Sequence, residues 1–140
     1  MAVKQLSIYV ENKLGSLAAI TKLIADAGID LTAISLADTT DYGILRILCD
    51  DPDRAYLTLK EQGLTVSARE VLAFAVPDVP GGMATIVSEL SEGGINIEYT
   101  YAATNRDEQN AFVIMRVSDN DKAEEILKEH NVRLLTSEDL

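Results

Sequence analysis

The sequence predicts an α+β fold built from two tandem βαββαβ units. An internal repeat carries most of that prediction. Leu14-Gly15-Ser16-Leu17-Ala18-Ala19-Ile20 is matched by Pro80-Gly81-Gly82-Met83-Ala84-Thr85-Ile86. Ile24-Ala25-Asp26-Ala27-Gly28-Ile29-Asp30-Leu31 is matched by Leu90-Ser91-Glu92-Gly93-Gly94-Ile95-Asn96-Ile97. The match resumes where Asp53-Arg54-Ala55 meets Asp121-Lys122-Ala123, after two extra residues in the second copy. A repeat fixes the building unit, here residues 1–70 and 71–140. The second observation is the apolar spacing, which switches between period two and the helical period. The third is the Gly and Asp-Pro punctuation between those stretches.

The elements follow in order. Leu6, Ile8 and Val10 alternate with Ser7 and Tyr9, as in a half-buried strand. After the turn Glu11-Asn12-Lys13-Leu14-Gly15, Ser16 is expected to cap a helix with the stripe Leu17, Ile20, Leu23, Ile24 and Ala27. Gly28 suits its left-handed stop. Strands follow at Leu31–Ala37 and Gly43–Cys49, joined by the turn Asp38-Thr39-Thr40-Asp41. Asp51-Pro52 opens a second helix, Asp as cap and Pro first, which stops at Gly63. A last strand is expected over Leu64–Glu70.

The second copy repeats this with strand Leu72–Val76, helix Met83–Ser91, strands Ile95–Ala102 and Ala111–Val117, helix Asn120–His130 and strand Val132–Leu135. The two extra residues are expected in the hairpin turn Thr104–Gln109, where insertions are tolerated. The β-α-β-β-α-β order is the split βαβ, or ferredoxin-like, arrangement, an antiparallel sheet with its helices on one face. Glu70-Val71-Leu72-Ala73-Phe74 joins the copies without a Gly or Pro break. Closely docked units are therefore expected.

Composition narrows the function. With 140 residues, each copy is small enough to need support from its neighbour or from oligomerisation. No apolar run approaches the roughly 20 residues of a membrane span. The first residues lack the pattern of a signal peptide. A single cysteine, Cys49, makes no internal disulfide. These features fit a cytoplasmic protein. The net charge is −11. Residues 1–72 carry seven cations against ten carboxylates, and residues 73–140 five against thirteen. Nucleic acid and anionic membrane are unlikely partners for such a chain.

Catalytic groups are scarce. The one histidine, His130, sits at a predicted helix end, where a surface role beside the dipole is the plain reading. Cys49 lies within an apolar strand, as a packing thiol does. Asp50, Asp51 and Asp53 read as a cap and first-turn acids rather than a metal site. No metal or other cofactor is expected. Five Tyr and two Phe without a basic patch do not make an RNA-binding sheet.

What remains is the paired turn before each first helix. These turns are Asn12-Lys13-Leu14-Gly15-Ser16-Leu17 and Asp78-Val79-Pro80-Gly81-Gly82-Met83. Glycine permits positive φ and close approach to the backbone. The helix N-terminus attracts a carboxylate, and Asn12 or Asp78 suits an ammonium. Together they suit the two ends of an α-amino acid. Ordinary strand-to-helix turn chemistry accounts for the same residues, and residue chemistry alone leaves both readings open.

These turns, together with Gly28-Ile29-Asp30, Gly94-Ile95-Asn96 and the element order, resemble the ACT domain family. The second copy fits its pattern closely through Asp78, Pro80-Gly81, Met83 and Gly94-Ile95-Asn96-Ile97. The first departs at Leu14, where Pro is usual, and at Asp30, where Asn is usual. The resemblance covers the whole chain as two tandem copies. It implies an amino-acid-binding regulatory protein, not an enzyme, with ligand held at interfaces between ACT units. The first-turn set it implies is Asn12, Leu14, Gly15, Ser16, Asp78, Pro80, Gly81, Gly82 and Met83. The strand set is Ser35, Leu36, Ala37 and Asp38, with Tyr99, Thr100, Tyr101 and Ala102. A homodimer is expected, and so is a controlled enzyme of amino-acid metabolism on a separate chain. The rival reading is an interaction subunit with no small-molecule ligand. Leu14, Leu36 and Met83 hint at a branched-chain or aromatic ligand.

Overall fold

A computed structural model describes residues 2–38 and 41–140. The expected turn residues Thr39 and Thr40 lie outside the described residues. The chain forms mixed α/β units of βαββαβ type. It divides into two compact units, Lys4–Arg69 and Glu70–Leu140, with residues 2–3 grouped with the latter.

The N-terminal unit runs β1 (Val3–Glu11), α1 (Ser16–Asp26), β2 (Leu31–Asp38), β3 (Tyr42–Cys49) and α2 (Pro52–Glu61). β3 pairs antiparallel with β1 on one side and β2 on the other. Register sets the core. Ile8 stands opposite Leu45 and Leu6 opposite Ile47, so these four share a face. Ile20 and Ile24 of α1 and Ala55 and Leu59 of α2 pack on that face. Both helices therefore lie on one side of these strands.

α1 ends as its sequence dictates. Gly28 takes φ +72°, and the Ile29 N–H donates to the Ile24 carbonyl. α2 starts on Asp51, whose side chain accepts from the Arg54 N–H at 3.2 Å, with Pro52 first in the helix. The start of α1 differs from expectation. The cap is Gly15, left-handed at φ +89°, and Ser16 is the first helical residue. A residue already inside the helix cannot cap it with its own hydroxyl.

β4 (Val66–Pro77) carries the boundary between the units. Two strands were expected here, and one continuous strand forms, because Glu70-Val71 offers nothing to interrupt extended backbone. The C-terminal unit continues with α3 (Gly82–Glu92), β5 (Ile97–Arg106), β6 (Asn110–Val117) and α4 (Asn120–Glu129). β6 lies antiparallel between β4 and β5. Phe74, Val76, Val113 and Met115 meet Ile86 and Leu90 of α3 and Leu127 of α4 in one apolar cluster. The last expected strand, Val132–Leu135, is reduced to a single bridge between Leu134 and Phe74. A 3-10 turn, Ser137–Asp139, follows.

The two extra residues of the second copy sit in β5, before the turn. Ala102 pairs with Val113 but Arg106 pairs with Ala111, so the additional residues form a bulge. The turn itself is short because Asp107 Oδ1 accepts from the N–H groups of Gln109 and Asn110, at 2.9 and 2.7 Å.

Candidate functional site

The two first helices begin alike and unlike the other two. α2 and α4 are capped by Asp51 and Asp119 and carry Asp53 and Asp121 in the first turn. α1 and α3 start on Gly15 and Gly81, with no capping side chain and no first-turn acid among the described residues. Each glycine is the third residue of a hydrogen-bonded turn. Ser16 N–H donates to Lys13 O at 3.3 Å, and Gly82 N–H to Val79 O at 3.1 Å. Gly15 at φ +89°, ψ −11° and Gly81 at φ +86°, ψ −7° match the third position of a type II turn. That turn favours Pro second and Gly third, which is Pro80-Gly81 and, less rigidly, Leu14-Gly15. The uncapped N–H groups and the helix dipole suit an anion.

Each of these turns opens on a cleft within its own unit. The N-terminal cleft is about 680 Å³ and is walled by Gly15, Ser16, Ala19, Leu23, Tyr42 and Gln62–Thr65. The C-terminal cleft is about 460 Å³ and is walled by Gly81, Gly82, Thr85, Glu89, Asn110 and His130–Arg133. Under the repeat these walls occupy matching positions. The linings differ. The first carries Tyr9 and Tyr42, with ring centres 5.5 Å apart, and Leu23. The second has Ala75, Asn110 and Glu89 at those places.

The expected residues divide among these places. Leu14, Gly15 and Ser16 line the N-terminal cleft, with Leu14 wholly in solvent. Asn12 lies on the exposed turn, where its N–H donates to Asp41 O. Pro80, Gly81 and Gly82 line the C-terminal cleft. Asp78, Met83, Thr100, Tyr101 and Ala102 line a separate groove of about 340 Å³ in the same unit. Tyr99 stacks beside Tyr101, with ring centres 6.5 Å apart. Ser35, Leu36, Ala37 and Asp38 are on β2 and line neither the clefts nor that groove. Leu36 covers Gly43 instead, its Cδ1 about 3.0 Å from where a Cβ there would stand.

Glu89, Asn110 and Asn131 to Arg133 were not anticipated as site residues, nor were Gln62 to Thr65. The signal that finds them is the repeat itself, which sets Gln62-Gly63 on His130-Asn131. Asn131 adopts φ +60° where Gly63 has φ +82°, so both units turn their second helix back in the same way.

Cys49 is half-buried, and its thiol is pushed up to about 11, first by burial and then by Asp50 and Asp51, against a backbone hydrogen bond that lowers it. At pH 8 the thiolate fraction is then only about one part in a thousand. Alkylation is expected to be far slower than for free glutathione and to quicken up to pH 11. Rapid labelling at pH 8 would contradict this. His130 is the C-cap of α4, and its Nδ1 lies 2.8 Å from the Ile126 carbonyl. No helix among the described residues is long and apolar enough to cross a membrane.

A doubled βαββαβ-type unit with matched glycine turns defines a tandem-repeat module. The chain belongs to the ACT domain family, and residues 1–140 match its ACT domain pair. No curated protein matches the chain. Among solved structures it is similar to protein BT0572 from Bacteroides thetaiotaomicron, with 41% identity and a TM-score of 0.92, over 99% of this chain and 95% of that one. It also shares its fold with the ligand-free regulatory subunit of aspartate kinase from Thermus thermophilus, with 18% identity and a TM-score of 0.69, over 91% and 90%. The corresponding subunit from Thermus flavus gives 16%, 0.64, and 90% of each chain.

Proposed function

We propose that this protein is a non-enzymatic, cytoplasmic sensor that binds an amino acid at the glycine turns of its ACT units. We infer further that it works as a homodimer and passes the signal to a separate enzyme of amino-acid metabolism. The observation that carries the reading is the pair of matching clefts. Turn chemistry alone explains Gly15 and Gly81. It does not explain why both units build the same cleft beside the uncapped helix start while changing its lining. A binding site that keeps its shape as its specificity changes has that character.

In this reading the ligand carboxylate sits on the free N–H groups of α1 or α3, and its side chain lies along the cleft. Binding stabilises whichever arrangement of the protein fits the ligand best. A partner that distinguishes those arrangements reads the signal. The aspartate kinase regulatory subunits of similar fold make such a kinase one partner to try.

The test is a thermal-shift screen against the twenty amino acids. At a hundred times Kd, a ligand adds about 2.7 kcal/mol of apparent stability. A saturable rise with one or a few amino acids is expected. A flat screen would favour the second reading, an interaction subunit that binds no ligand of its own. That reading draws on the exposed apolar residues Tyr9, Leu14 and Tyr42 around the N-terminal cleft.

A further inference from the structure

One guanidinium in the C-terminal unit joins two turns that lie far apart in the chain. After the bridge at Leu134, the chain turns at Ser137–Asp139. Asp139 Oδ2 closes that turn, accepting from the Thr136 N–H at 2.7 Å and from its hydroxyl at 3.1 Å. Its other oxygen, Oδ1, accepts from Arg133 at 3.2 Å. Arg133 also lies 3.8 Å from Asp107 Oδ2, and Asp107 holds the β5–β6 turn through the Gln109 and Asn110 N–H groups. The guanidinium sits over the Phe112 ring on β6, 6.0 Å from its centre. Asn105 Nδ2 donates to the Asp139 carbonyl at 3.5 Å, the limit of a hydrogen bond. The N-terminal unit lacks this arrangement. Thr65 stands at the place of Arg133, its carbonyl accepting from the Tyr9 N–H as that of Arg133 accepts from Ala75. From there the chain runs on as β4 instead of turning.

We propose that Thr136–Asp139 is a strap, closed onto the β5–β6 hairpin by Arg133 and able to open without unfolding the strands. The ties that close it are partly exposed and mostly ionic. Such pairs are individually weak and are screened by salt, so the closed form is only slightly favoured. Leu134 and Leu135, just before the strap, are buried and stay in place. The gate is ionic strength rather than neutral pH. Asp107 is held below the usual carboxylate range, first by the Gln109 N–H, and Asp139 likewise, first by the Thr136 N–H. Both are therefore ionised at neutral pH. Opening bares the face of Phe112 that Arg133 covers. It also frees the Arg133 side chain, which belongs to the wall of the C-terminal cleft. A single 3-10 turn does not hold itself once released, so its own amides report the opening.

The experiment is amide hydrogen exchange read by NMR on the intact protein, at low salt and at about 0.5 M sodium chloride. Arg133→Gln keeps the backbone bonds of that residue and removes its charge. It is expected to speed exchange at Thr136 and Asp139 about fivefold or more, while Leu72 in β4 and Met115 in β6 keep their wild-type rates. Salt is expected to do the same to the wild type and to add little to the variant. Asp139→Asn leaves an acceptor for the Thr136 N–H and is expected to match Arg133→Gln. Unchanged exchange in Arg133→Gln, or a salt effect that persists there at full size, overturns the proposal. So does a rise shared by Leu72 and Met115, since Arg133 would then support the whole unit and the strap would not open separately. Unprotected exchange at Thr136 in the wild type would mean that no closed strap exists.

Discussion

Gly82→Ala is expected to destabilise the C-terminal unit by about 2–4 kcal/mol, as steric insertion into fixed backbone does. A Cβ at this position would stand 2.3 Å from the Pro77 carbonyl oxygen. That oxygen cannot simply swing aside, because it accepts the Val79 N–H at 2.9 Å within the same turn. Relief requires the turn to open or the start of α3 to shift, and either displaces the N–H groups proposed to hold the ligand. Urea unfolding with a parallel ligand titration reads both effects. Stability within 0.5 kcal/mol of wild type, with unchanged affinity, would show that the turn yields cheaply. The N-terminal unit supplies an internal control. Ser16 occupies the same position there with a side chain, and its turn hydrogen bond is longer, 3.3 Å against 3.1 Å.

Phe74→Ala is expected to cost about 3–5 kcal/mol, the range for truncating a buried aromatic. Phe74 is fully buried in β4, opposite Val113, and packs with Val76, Ile86, Leu90 and Met115. It also forms the bridge to Leu134. The backbone bonds beside that bridge, Ala75 N–H to Arg133 O and Leu135 N–H to Ala73 O, tether the segment that walls the cleft. The substitution should therefore lower global stability and also loosen residues 130–135. Hydrogen exchange would show protection lost in α3, β6 and this segment before β1 and β3. A loss below 1 kcal/mol would mean the cluster refills the cavity. Two compact units make a single unfolding transition an assumption to check, by comparing probes in each.

Much of the fold is legible because its signals are local. Asp51-Pro52 names its own helix start, and Gly28, Gly63 and Gly94 their stops, since few other residues accept φ near +75° at no cost. Gly15 and Gly81 are legible for the same reason. Ser16 misleads because a good capping residue one place too late looks the same in sequence as one in place. The bulge in β5 misleads because an insertion has no address until the register of its partner strand is known. The segment Val132–Leu135 is apolar enough for a strand, yet it makes a single bridge, and no local signal in the sequence marks that outcome.

The site divides along the same line. The sequence by itself determined the doubled unit, the apolar faces and the two glycine turns, because each depends on residues close together in the chain or on a repeat visible by eye. Only the tertiary structure decided what faces those turns. Glu89 and His130 are ordinary surface residues of two helices until the return of the chain after α4 brings them to one cleft. Leu23 and Gln62 are brought together in the same way in the first unit. Their chemistry comes from proximity and burial, and proximity between distant residues is set by packing.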